Sequence, residues 1–303
     1  MSKTIALTGA TGFLGQHLLK ALLSEGHSVR ALARRPEAIN FTDAKLSIIK
    51  GDLESDLSLF LQDADCVIHL AGLIKARTWK DYAHVNVKGA KNVAQAAENV
   101  GVKHFILMSS MAARAPELSF YAKSKYNGEE AVKEAFSADL SIIRAPAVFG
   151  PHDQATKPIF DLMKKGLLPV VGGKGWRTRS VAMVYIDDLV EDIVQRAVKG
   201  DYKGKTVSPA TLGAMTMPEF AGYAGKALKK TVRAFSLPLF IIYPVAAITT
   251  ITLRLFSLGH LSLGKLAEFR YEHWQSDDSV SNPTPMVEAI AETIRSYNNS
   301  DDL

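Results

Sequence analysis

Short apolar runs alternate with helical patterns through the first half of the chain. Continuous runs of Val, Ile, Leu and Ala lie in KTIALTG, HSVRALAR, LSIIKGDL, CVIHLAG, HFILMSS and LSIIRAP. Because these runs do not alternate with polar residues, each predicts a strand that is buried on both faces of a sheet. Apolar residues at helical spacing lie between several of the runs, over 13–24, 85–99 and 120–135, and predict helices there.

This order of strands and helices predicts an α/β fold. Strands that follow one another through helices pair in parallel, and right-handed crossovers place the helices on both faces of the sheet. We therefore expect a doubly wound, mostly parallel Rossmann sheet over residues 1–150, which a strand and helix at about 181–200 complete. After Gly150 the pattern weakens, and residues 151–303 are expected to form mainly a smaller C-terminal substrate-binding part.

The composition is that of a globular protein without a disulfide framework. The chain has 303 residues, of which 47% are hydrophobic and 22% charged, so one large or two modest domains can bury a core. Cys66 is the only cysteine and stands in an apolar run, which favours a small buried filler. The N-terminus lacks the long apolar segment of a signal peptide, so a cytoplasmic protein is expected.

The formal net charge of +5 is compatible with several kinds of binding partner. It fits an anionic cofactor or a membrane surface, and a mildly basic solvated exterior explains it equally well. Basic and aromatic residues are not interleaved as they are in nucleic-acid-binding proteins, so no nucleic-acid partner is expected. The histidines are scattered without the spacing of metal ligands, and no metal site is expected.

A glycine-rich loop, TGATGFLG, follows the first predicted strand and opens the first predicted helix. Gly9, Gly12 and Gly15 are spaced regularly within it. Glycine permits a tight turn and a close approach of the backbone to a pyrophosphate, while a helix N-terminus offers N–H groups and a positive dipole end. In this context the loop predicts a dinucleotide site, and the alternative is a tight turn without a ligand.

The end of the second predicted strand indicates which dinucleotide binds. An acidic residue there hydrogen-bonds the ribose 2′-hydroxyl of NAD, whereas an arginine accommodates the 2′-phosphate of NADP. The chain has Arg34 and Arg35 at this place and no acid. NADP(H) is therefore favoured over NAD(H), and the alternative is a pair of solvated surface arginines.

Several motifs follow one another in a recognisable order. They are the glycine loop, GDL at 51–53, HLAG at 69–72, VNVKGAKNV at 85–93, SS at 109–110, Tyr121-x-x-x-Lys125 and RAPAVFGP at 144–151. With this order, up to the run VYIDDLVEDIV, the chain resembles the extended short-chain dehydrogenases/reductases, the NAD(P)-dependent epimerase/dehydratase family. The resemblance implies an NAD(P)-dependent enzyme with a Rossmann fold.

The resemblance also implies which residues hold the cofactor. The glycine-loop residues around the pyrophosphate would be Gly9, Thr11, Gly12, Phe13, Leu14 and Gly15. Arg34 would face the 2′-phosphate with Arg35 nearby, and the adenine would contact Asp52 and Leu53. The ribose would lie over Leu70, Ala71 and Gly72, the nicotinamide near Pro146, Ala147 and Val148, and Asn86 would organise the site.

Ser110, Tyr121 and Lys125 match the catalytic triad of the family. A free tyrosine has a pKa of about 10, too high for a base at neutral pH, and a neighbouring ammonium lowers that pKa. Positions i and i+4 share a helix face, so Lys125 can lie beside Tyr121 and both can reach the ribose and nicotinamide. Ser110 would hold the substrate oxygen, and Ser109 is the alternative serine.

Two departures from the family's patterns indicate which branch of the family the chain resembles. Sugar-nucleotide 4,6-dehydratases carry an Asp-Glu pair after the catalytic hydroxyl residue, where this chain has Met111 and Ala112, so elimination is not expected. Epimerases usually keep NAD bound and carry an acid in place of Arg34. The C-terminal layout resembles the 3β-hydroxysteroid dehydrogenase-like branch, which implies a keto-reductase or alcohol dehydrogenase for a lipid-like or sterol-like substrate.

Two other functions stay open. One is a sugar-nucleotide epimerase or reductase, in which Arg177 and Arg179 would bind a diphosphate. The other is a non-catalytic NADP-binding scaffold or sensor. The candidates for the substrate pocket are Met111, Trp79, Phe149 and Trp176, and a plain core position is the alternative for each.

Residues 234–253, AFSLPLFIIYPVAAITTITL, carry no charge and follow a cluster of basic residues. The segment is about 30 Å long if fully helical, although two prolines are expected to interrupt it. Three interpretations compete: a buried wall of the substrate-binding part, a surface that faces anionic lipid, and a membrane span. The second would make 226–258 a peripheral contact with the inner face of a membrane.

Overall fold

The computed structural model describes residues 2–173, 175–199, 204–244, 246–247 and 263–298. The chain divides into two compact units. The first contains Met1–Arg144 and Val190–Val207, and the second contains Ala145–Leu189 and Ser208–Leu303. The predicted boundary at residue 150 thus lies just inside the second unit, and the chain returns to the first unit at Val190.

A seven-stranded sheet forms the centre of the first unit, with the strand order β10-β6-β5-β4-β1-β2-β3. Its strands are β1 (Thr4–Thr8), β2 (Ser28–Ala33), β3 (Leu46–Lys50), β4 (Cys66–His69), β5 (His104–Ser110), β6 (Asp139–Ala145) and β10 (Thr206–Val207). Every pairing whose register is described in this sheet is parallel. The predicted doubly wound parallel sheet is confirmed.

Helices connect these strands. They are α1 (Phe13–Ser24), α2 (Ser58–Leu61), α3 (Trp79–Tyr82), a π-helical segment (Ala83–Gly89), α4 (Ala90–Asn99), a 3₁₀ turn (Met111–Arg114), α5 (Phe120–Ala135) and α7 (Ile186–Lys199). Gly26, with a φ of +85°, follows α1. The backbone N–H groups of Gly26 and His27 donate to carbonyls in the last turn, so the helix ends there as predicted.

Burial of a strand depends on its place in the sheet. The central strands β4 and β5 are buried almost throughout, and Cys66 fills space within β4. By contrast, the side chains of β3 are half-buried or exposed. The expectation that every apolar run is buried on both faces is therefore wrong for β3, because this edge strand has a neighbouring strand on one side only.

The second unit contains two small sheets. The strands β7 (Ala147–Phe149), β9 (Ser180–Tyr185) and β11 (Leu212–Thr216) pair in the order β11-β9-β7, and β8 (Leu167–Val171) pairs in parallel with β12 (Arg233–Leu237). The helices are α6 (Lys157–Lys164), α8 (Met217–Leu228), α9 (residues 239–244 and 246–247), α10 (Leu263–Arg270) and α11 (Met286–Asn298).

Strand β9 differs from its predicted role. The sequence predicts that a strand near residue 181 completes the Rossmann sheet, but β9 pairs with β7 and β11. The place beside β6 in the large sheet is taken by Thr206–Val207. Of the predicted strand and helix, only the helix α7 reaches the first unit, from Val190 onward.

An aromatic cluster forms much of the core of the second unit. Phe149, a predicted pocket candidate, is fully buried in it. Its ring centroid lies 6.2 Å from that of Phe160 and 5.7 Å from that of Tyr185, and Phe160 also contacts Phe220 and Tyr297. Phe149 therefore occupies a plain core position, because its side chain points into the packed side of a short strand.

Candidate active site

The order of the strands places a crevice at the carboxyl edge of the first unit's sheet. From β1 the chain builds outward through β2 and β3, and then returns to β4 on the other side of β1. Ligands of doubly wound sheets bind where the strand order reverses in this way. The two loops at this point are the glycine loop after β1 and residues 70–72 after β4.

Backbone contacts at this crevice require glycine. Gly9 has a φ of +76°, and a Cβ added there would lie 2.8 Å from the backbone nitrogen of Ala71. A Cβ at Gly15 would overlap the carbonyl oxygen of Gly9. The loop after β4 and the start of α1 thus approach the glycine loop so closely that side chains at these two positions would push them apart.

The N-terminus of α1 can accept an anion. Gly12 stands at the N-cap position, and no side chain among the described residues caps the helix. The first-turn N–H groups and the positive end of the helix dipole therefore face the loop. Together with the close backbone approaches at Gly9 and Gly15, this arrangement fits the pyrophosphate of a dinucleotide.

The predicted adenine and 2′-phosphate residues lie together at the ends of β2 and β3. Arg34 and Arg35 are exposed directly after β2. Asp52 follows β3, and its carboxylate accepts hydrogen bonds of 2.9 Å from the N–H of Glu54 and the hydroxyl of Ser55. These bonds hold the pKa of Asp52 below its usual value, and the charge of Arg34 adds to the effect.

Asn86 ties three elements together beneath the crevice. Its side-chain oxygen accepts from the N–H of Leu73 at 2.7 Å, and its Nδ2 donates to the carbonyl of Leu73 and to Ser124 Oγ, both at 2.9 Å. Ser124 belongs to α5, and the backbone of Asn86 meets the same helix at Gly128, where a Cβ would overlap its carbonyl oxygen. The role predicted for Asn86 in organising the site stays a prediction, and these hydrogen bonds are what it would depend on.

Lys125 lies against the loop after β4. Its Nζ donates to the carbonyl oxygen of Met108 at 2.7 Å, and a Cβ added at Gly72 would lie 3.7 Å from the same nitrogen. Desolvation lowers the pKa of Lys125 to about 8, although the nearby Glu129 carboxylate opposes this shift. The ammonium is thus held in a poorly solvated position beside the predicted ribose residues.

Tyr121 stands in the first turn of α5, four residues before Lys125. Ser119 caps this helix, because its Oγ accepts from the N–H of Ala122 at 2.9 Å. Tyr121 is half-buried, and its ring centroid lies 6.2 Å from that of the buried Tyr82. The helix therefore presents Tyr121 and Lys125 on one face, as their spacing predicts.

The two candidate serines have different surroundings. Ser110 Oγ accepts from the N–H of Ala112 at 3.2 Å, at the end of β5. Ser109 is buried, and its hydroxyl donates to the buried carboxylate of Glu129. Because Ser109 is engaged below the strand, Ser110 is the better placed of the two to meet a substrate.

Sequence reasoning missed the ion pair under this site. Glu129 is fully buried, and Arg144 donates to both of its carboxylate oxygens, with the shortest bond, from Nη2 to Oε2, at 2.6 Å. The available signal was the spacing of Glu129, four residues after Lys125 on the same helix face. A glutamate on a helix is usually exposed, so the spacing alone does not predict burial.

The other predicted substrate residues are divided between the units. Trp79 and Met111 belong to the first unit, where Met111 is buried and the ring of Trp79 lies under Lys123 Nζ, 5.1 Å from the ring centroid. Trp176 belongs to the second unit, and Arg177 lies over its ring at 4.5 Å. Pro146, Ala147 and Val148 also belong to the second unit.

His69 is a neutral core histidine. It is buried, its Nδ1 lies 2.9 Å from Thr8 Oγ1, and desolvation lowers its pKa to about 3, with a further contribution from Lys125. Within the described parts of the chain, no three His, Cys, Asp or Glu side chains are grouped as metal ligands. None of the helices in those parts is long and apolar enough to span a membrane.

Residues 5–206 match the NAD dependent epimerase/dehydratase family, which is two-thirds of the chain. The chain belongs to this family. The predicted family resemblance is thereby confirmed, and with it the prediction of an NAD(P)-dependent enzyme. The match begins at the glycine loop's strand and ends at β10, so it covers the sheet and the whole crevice described above.

Two curated relatives are similar to this chain over about 60% of its length. The ceramide reductase of Caulobacter vibrioides is 43% identical over 194 residues, or 63% of this chain and 59% of that protein. The sterol-4-alpha-carboxylate 3-dehydrogenase, decarboxylating, of Bos taurus is 27% identical over 213 residues, or 62% of this chain and 58% of that protein. The aligned parts thus span less than two-thirds of these relatives' length.

The fold is similar to that of solved epimerases. The UDP-glucuronic acid 4-epimerase from Bacillus cereus, in complex with UDP-glucuronic acid and NAD, superposes with a TM-score of 0.74. The superposition covers 98% of this chain and 99% of that chain at 20% identity. At this identity the similarity establishes the fold alone.

Proposed function

We propose that the protein is an NADP(H)-dependent keto-reductase or alcohol dehydrogenase for a hydrophobic, lipid-like or sterol-like carbonyl or alcohol. The observation that carries this proposal is the position of Lys125. Its Nζ contacts the Met108 carbonyl and lies near Gly72, in the loop whose Ala71 approaches Gly9. Tyr121 stands one turn away on the same helix face. The proposed proton donor therefore lies beside the proposed dinucleotide site.

The residues of the first unit would hold the dinucleotide along the carboxyl edge of the sheet. The glycine loop and α1 would bind the pyrophosphate, Asp52 and Leu53 would contact the adenine, and Arg34 would face the 2′-phosphate. Residues 70–72 would lie under the ribose. When bound, the nicotinamide supplies or accepts a hydride.

Tyr121 would act as the acid in reduction and as the base in oxidation. Its hydroxyl would give a proton to the substrate oxygen, or take one from it. The ammonium of Lys125 favours the phenolate form and so makes the proton easier to release. Ser110 would hold the substrate oxygen, since accepting from the N–H of Ala112 leaves its hydroxyl hydrogen to donate.

Two observations support an apolar substrate. The residues after Ser110 are the buried Met111, Ala112 and Ala113, which lack the acid and base that sugar-nucleotide dehydration needs. The two relatives named above are a ceramide reductase and a sterol carboxylate dehydrogenase, whose names describe lipid substrates. A keto-lipid or sterol-like ketone is therefore the proposed substrate class.

The proposal is tested by following NADPH oxidation with keto-sphingolipids, steroids and UDP-sugars as substrates. We expect turnover with a lipid ketone and none with UDP-sugars. Turnover of UDP-sugars, with tightly held NAD and no net oxidation, would instead establish an epimerase. That second function is kept because the matched family includes epimerases by its name. Binding of NADPH without turnover of any class would favour the scaffold or sensor.

A further inference from the structure

Between Glu219 and Glu268 the chain has no acidic residue. The stretch contains six lysines and arginines, at positions 226, 229, 230, 233, 254 and 265. Its described parts belong to the second unit and include the end of α8, the strand β12, the helix α9 and the start of α10. The stretch therefore carries a positive charge that no acid within it offsets.

The strand β12 carries apolar and basic side chains on one exposed face. Burial along it alternates, so Arg233, Phe235 and Leu237 are exposed while the residues between them are half-buried. Side chains two apart in a strand lie on the same face. Lys229 and Lys230 are exposed just before the strand, and Lys230 Nζ donates to the carbonyl of Lys164.

The helix α9 is apolar on both faces. Ile242 and Ala246, four residues apart, are buried and pack with Leu266 of α10 and Val171 of β8. On the other face, Phe240 is 78% exposed, Ile241 50% and Tyr243 41%. A surface helix normally places polar residues on its outward face, and a helix that is apolar all round is found where something other than water meets it.

The outward face of α9 is held in place by packing and a hydrogen bond. Arg270 of α10 donates through Nη1 to the hydroxyl of Tyr243 at 2.6 Å, and its guanidinium lies 6.0 Å from the ring centroid. The exposure of Phe240 and Ile241 is therefore a feature of a packed helix. We call Phe235, Leu237, Phe240, Ile241 and Tyr243 the α9 face, and Lys229, Lys230 and Arg233 the basic rim.

We propose that the α9 face and the basic rim dock the protein on an anionic lipid surface. The charge pattern favours lipid over a protein partner. Aromatic and aliphatic side chains at the bilayer boundary, flanked by lysine and arginine facing anionic headgroups, are the features of interfacial helices. The α9 face and the basic rim are thus the described residues that would form the peripheral contact predicted for 226–258. Residues 245 and 248–258 lie outside the described residues.

The surface can be tested with the full chain and vesicles. We expect flotation with vesicles of phosphatidylcholine plus phosphatidylglycerol, and weak binding to phosphatidylcholine alone. The double variant Phe240→Ser/Ile241→Ser should reduce partitioning by about tenfold or more, since two large apolar side chains no longer enter the boundary. The double variant Lys229→Glu/Arg233→Glu should reduce it similarly at low salt, and high salt should release the unmodified protein.

Matched controls lie in the first unit. Leu59 is 60% exposed on α2 and Lys20 is exposed on α1, so Leu59→Ser and Lys20→Glu should leave vesicle binding unchanged. Equal effects of the control and α9-face variants would overturn the proposal, as would an absence of binding to anionic vesicles at low salt. Concentration-dependent dimers that dissociate in Phe240→Ser would show that a second copy covers the face. Tyr121→Phe should bind vesicles normally, which separates this inference from the proposed catalysis.

Discussion

The crevice of the first unit and the α9 face of the second unit both contain small or apolar residues, but different contacts define them. In the crevice, backbone meets backbone, and a Cβ at Gly9 or Gly15 would fall on neighbouring main-chain atoms. On the α9 face, Phe240 and Ile241 extend from a helix whose other side is packed. Close approach of the chain to itself defines the first surface, and apolar side chains on the outward side of a packed helix define the second.

The two regions should therefore tolerate different substitutions. A position that backbone contacts restrict to glycine responds sharply to any added atom, whereas an exposed apolar side chain can be replaced without loss of folding. The first unit should therefore lose stability or activity when changed. Substitutions on the α9 face should reduce only the proposed binding to a lipid surface.

The largest expected effect is on turnover. Tyr121→Phe removes the proposed acid and base while keeping the ring that packs near Tyr82, so turnover should fall about 10²–10⁴-fold. NADPH binding, followed by fluorescence, should be retained. Phe240→Ser in the second unit should leave turnover of a detergent-soluble substrate unchanged. Equal activity of Tyr121→Phe and the unmodified protein would remove the acid–base role assigned to residue 121.

The contrast also explains what could be predicted from the sequence. The glycine loop and the Tyr121–Lys125 spacing stand out in the sequence because a tight turn or a helix spacing restricts the residue types there. Arg34 stands out by its place after the second strand, whereas Asn86 is indicated only by the family resemblance. The partners of β9 were not predictable, since a buried apolar strand pairs equally well with any open edge. The burial of Glu129 was not predictable either, because its spacing does not show that Arg144, on the following strand β6, folds back against it.

The buried ion pair gives the next largest effect. Arg144→Gln removes the guanidinium that binds both carboxylate oxygens of the buried Glu129, which keeps the hydroxyl of Ser109 as a hydrogen-bond donor and the Lys125 ammonium nearby. The change should lower the free energy of unfolding by about 3–5 kcal/mol. The matched change Arg270→Gln removes a bond to a partly exposed Tyr243 and should cost about 1 kcal/mol or less. Urea unfolding measures both, and similar losses for the two variants would contradict the assigned importance of burial.

One glycine-to-alanine change in each unit compares the closely packed crevice with an open helix surface. Gly15→Ala places a Cβ on the carbonyl oxygen of Gly9, so the loop must shift, at about 1–3 kcal/mol of stability, and dinucleotide affinity should fall with it. Gly222→Ala, within α8 of the second unit, meets no atom within 4 Å and should stabilise the protein by about 1 kcal/mol. Thermal unfolding with and without NADPH reports both quantities. Retained affinity in Gly15→Ala would show that the loop does not bind the pyrophosphate.

Lys125 should make stability depend on pH. Its pKa is lowered from 10.5 to about 8 by desolvation, so between these values the unfolded chain binds more protons and stability rises with pH. Below pH 8 the full cost of burying the ammonium is present. Lys125→Met should therefore make the cofactor-free protein more stable by about 1–3 kcal/mol at pH 7 and abolish the rise above pH 8. Lys226→Met, on the exposed surface of the second unit, should change neither quantity.

A destabilised Lys125→Met protein at pH 7 would mean that the hydrogen bond to the Met108 carbonyl outweighs desolvation. The activity of this variant gives an independent check. Since the ammonium favours the phenolate of Tyr121, turnover should fall even though the fold becomes more stable. Opposite changes in stability and activity are typical of a functional group held where it is poorly solvated.

The smallest expected effect concerns the choice of dinucleotide. Arg34→Glu replaces a cation near the proposed 2′-phosphate with an anion, so NADPH affinity should fall about tenfold or more while NADH affinity changes little. Arg177→Glu, in the second unit, should leave both affinities unchanged and would weaken a UDP-sugar only if the epimerase alternative held. Isothermal titration with both dinucleotides measures the ratio. Because Arg34 also lowers the pKa of Asp52, an equal loss of NADPH and NADH would mean that Arg34 acts through the adenine-side carboxylate and not on a phosphate.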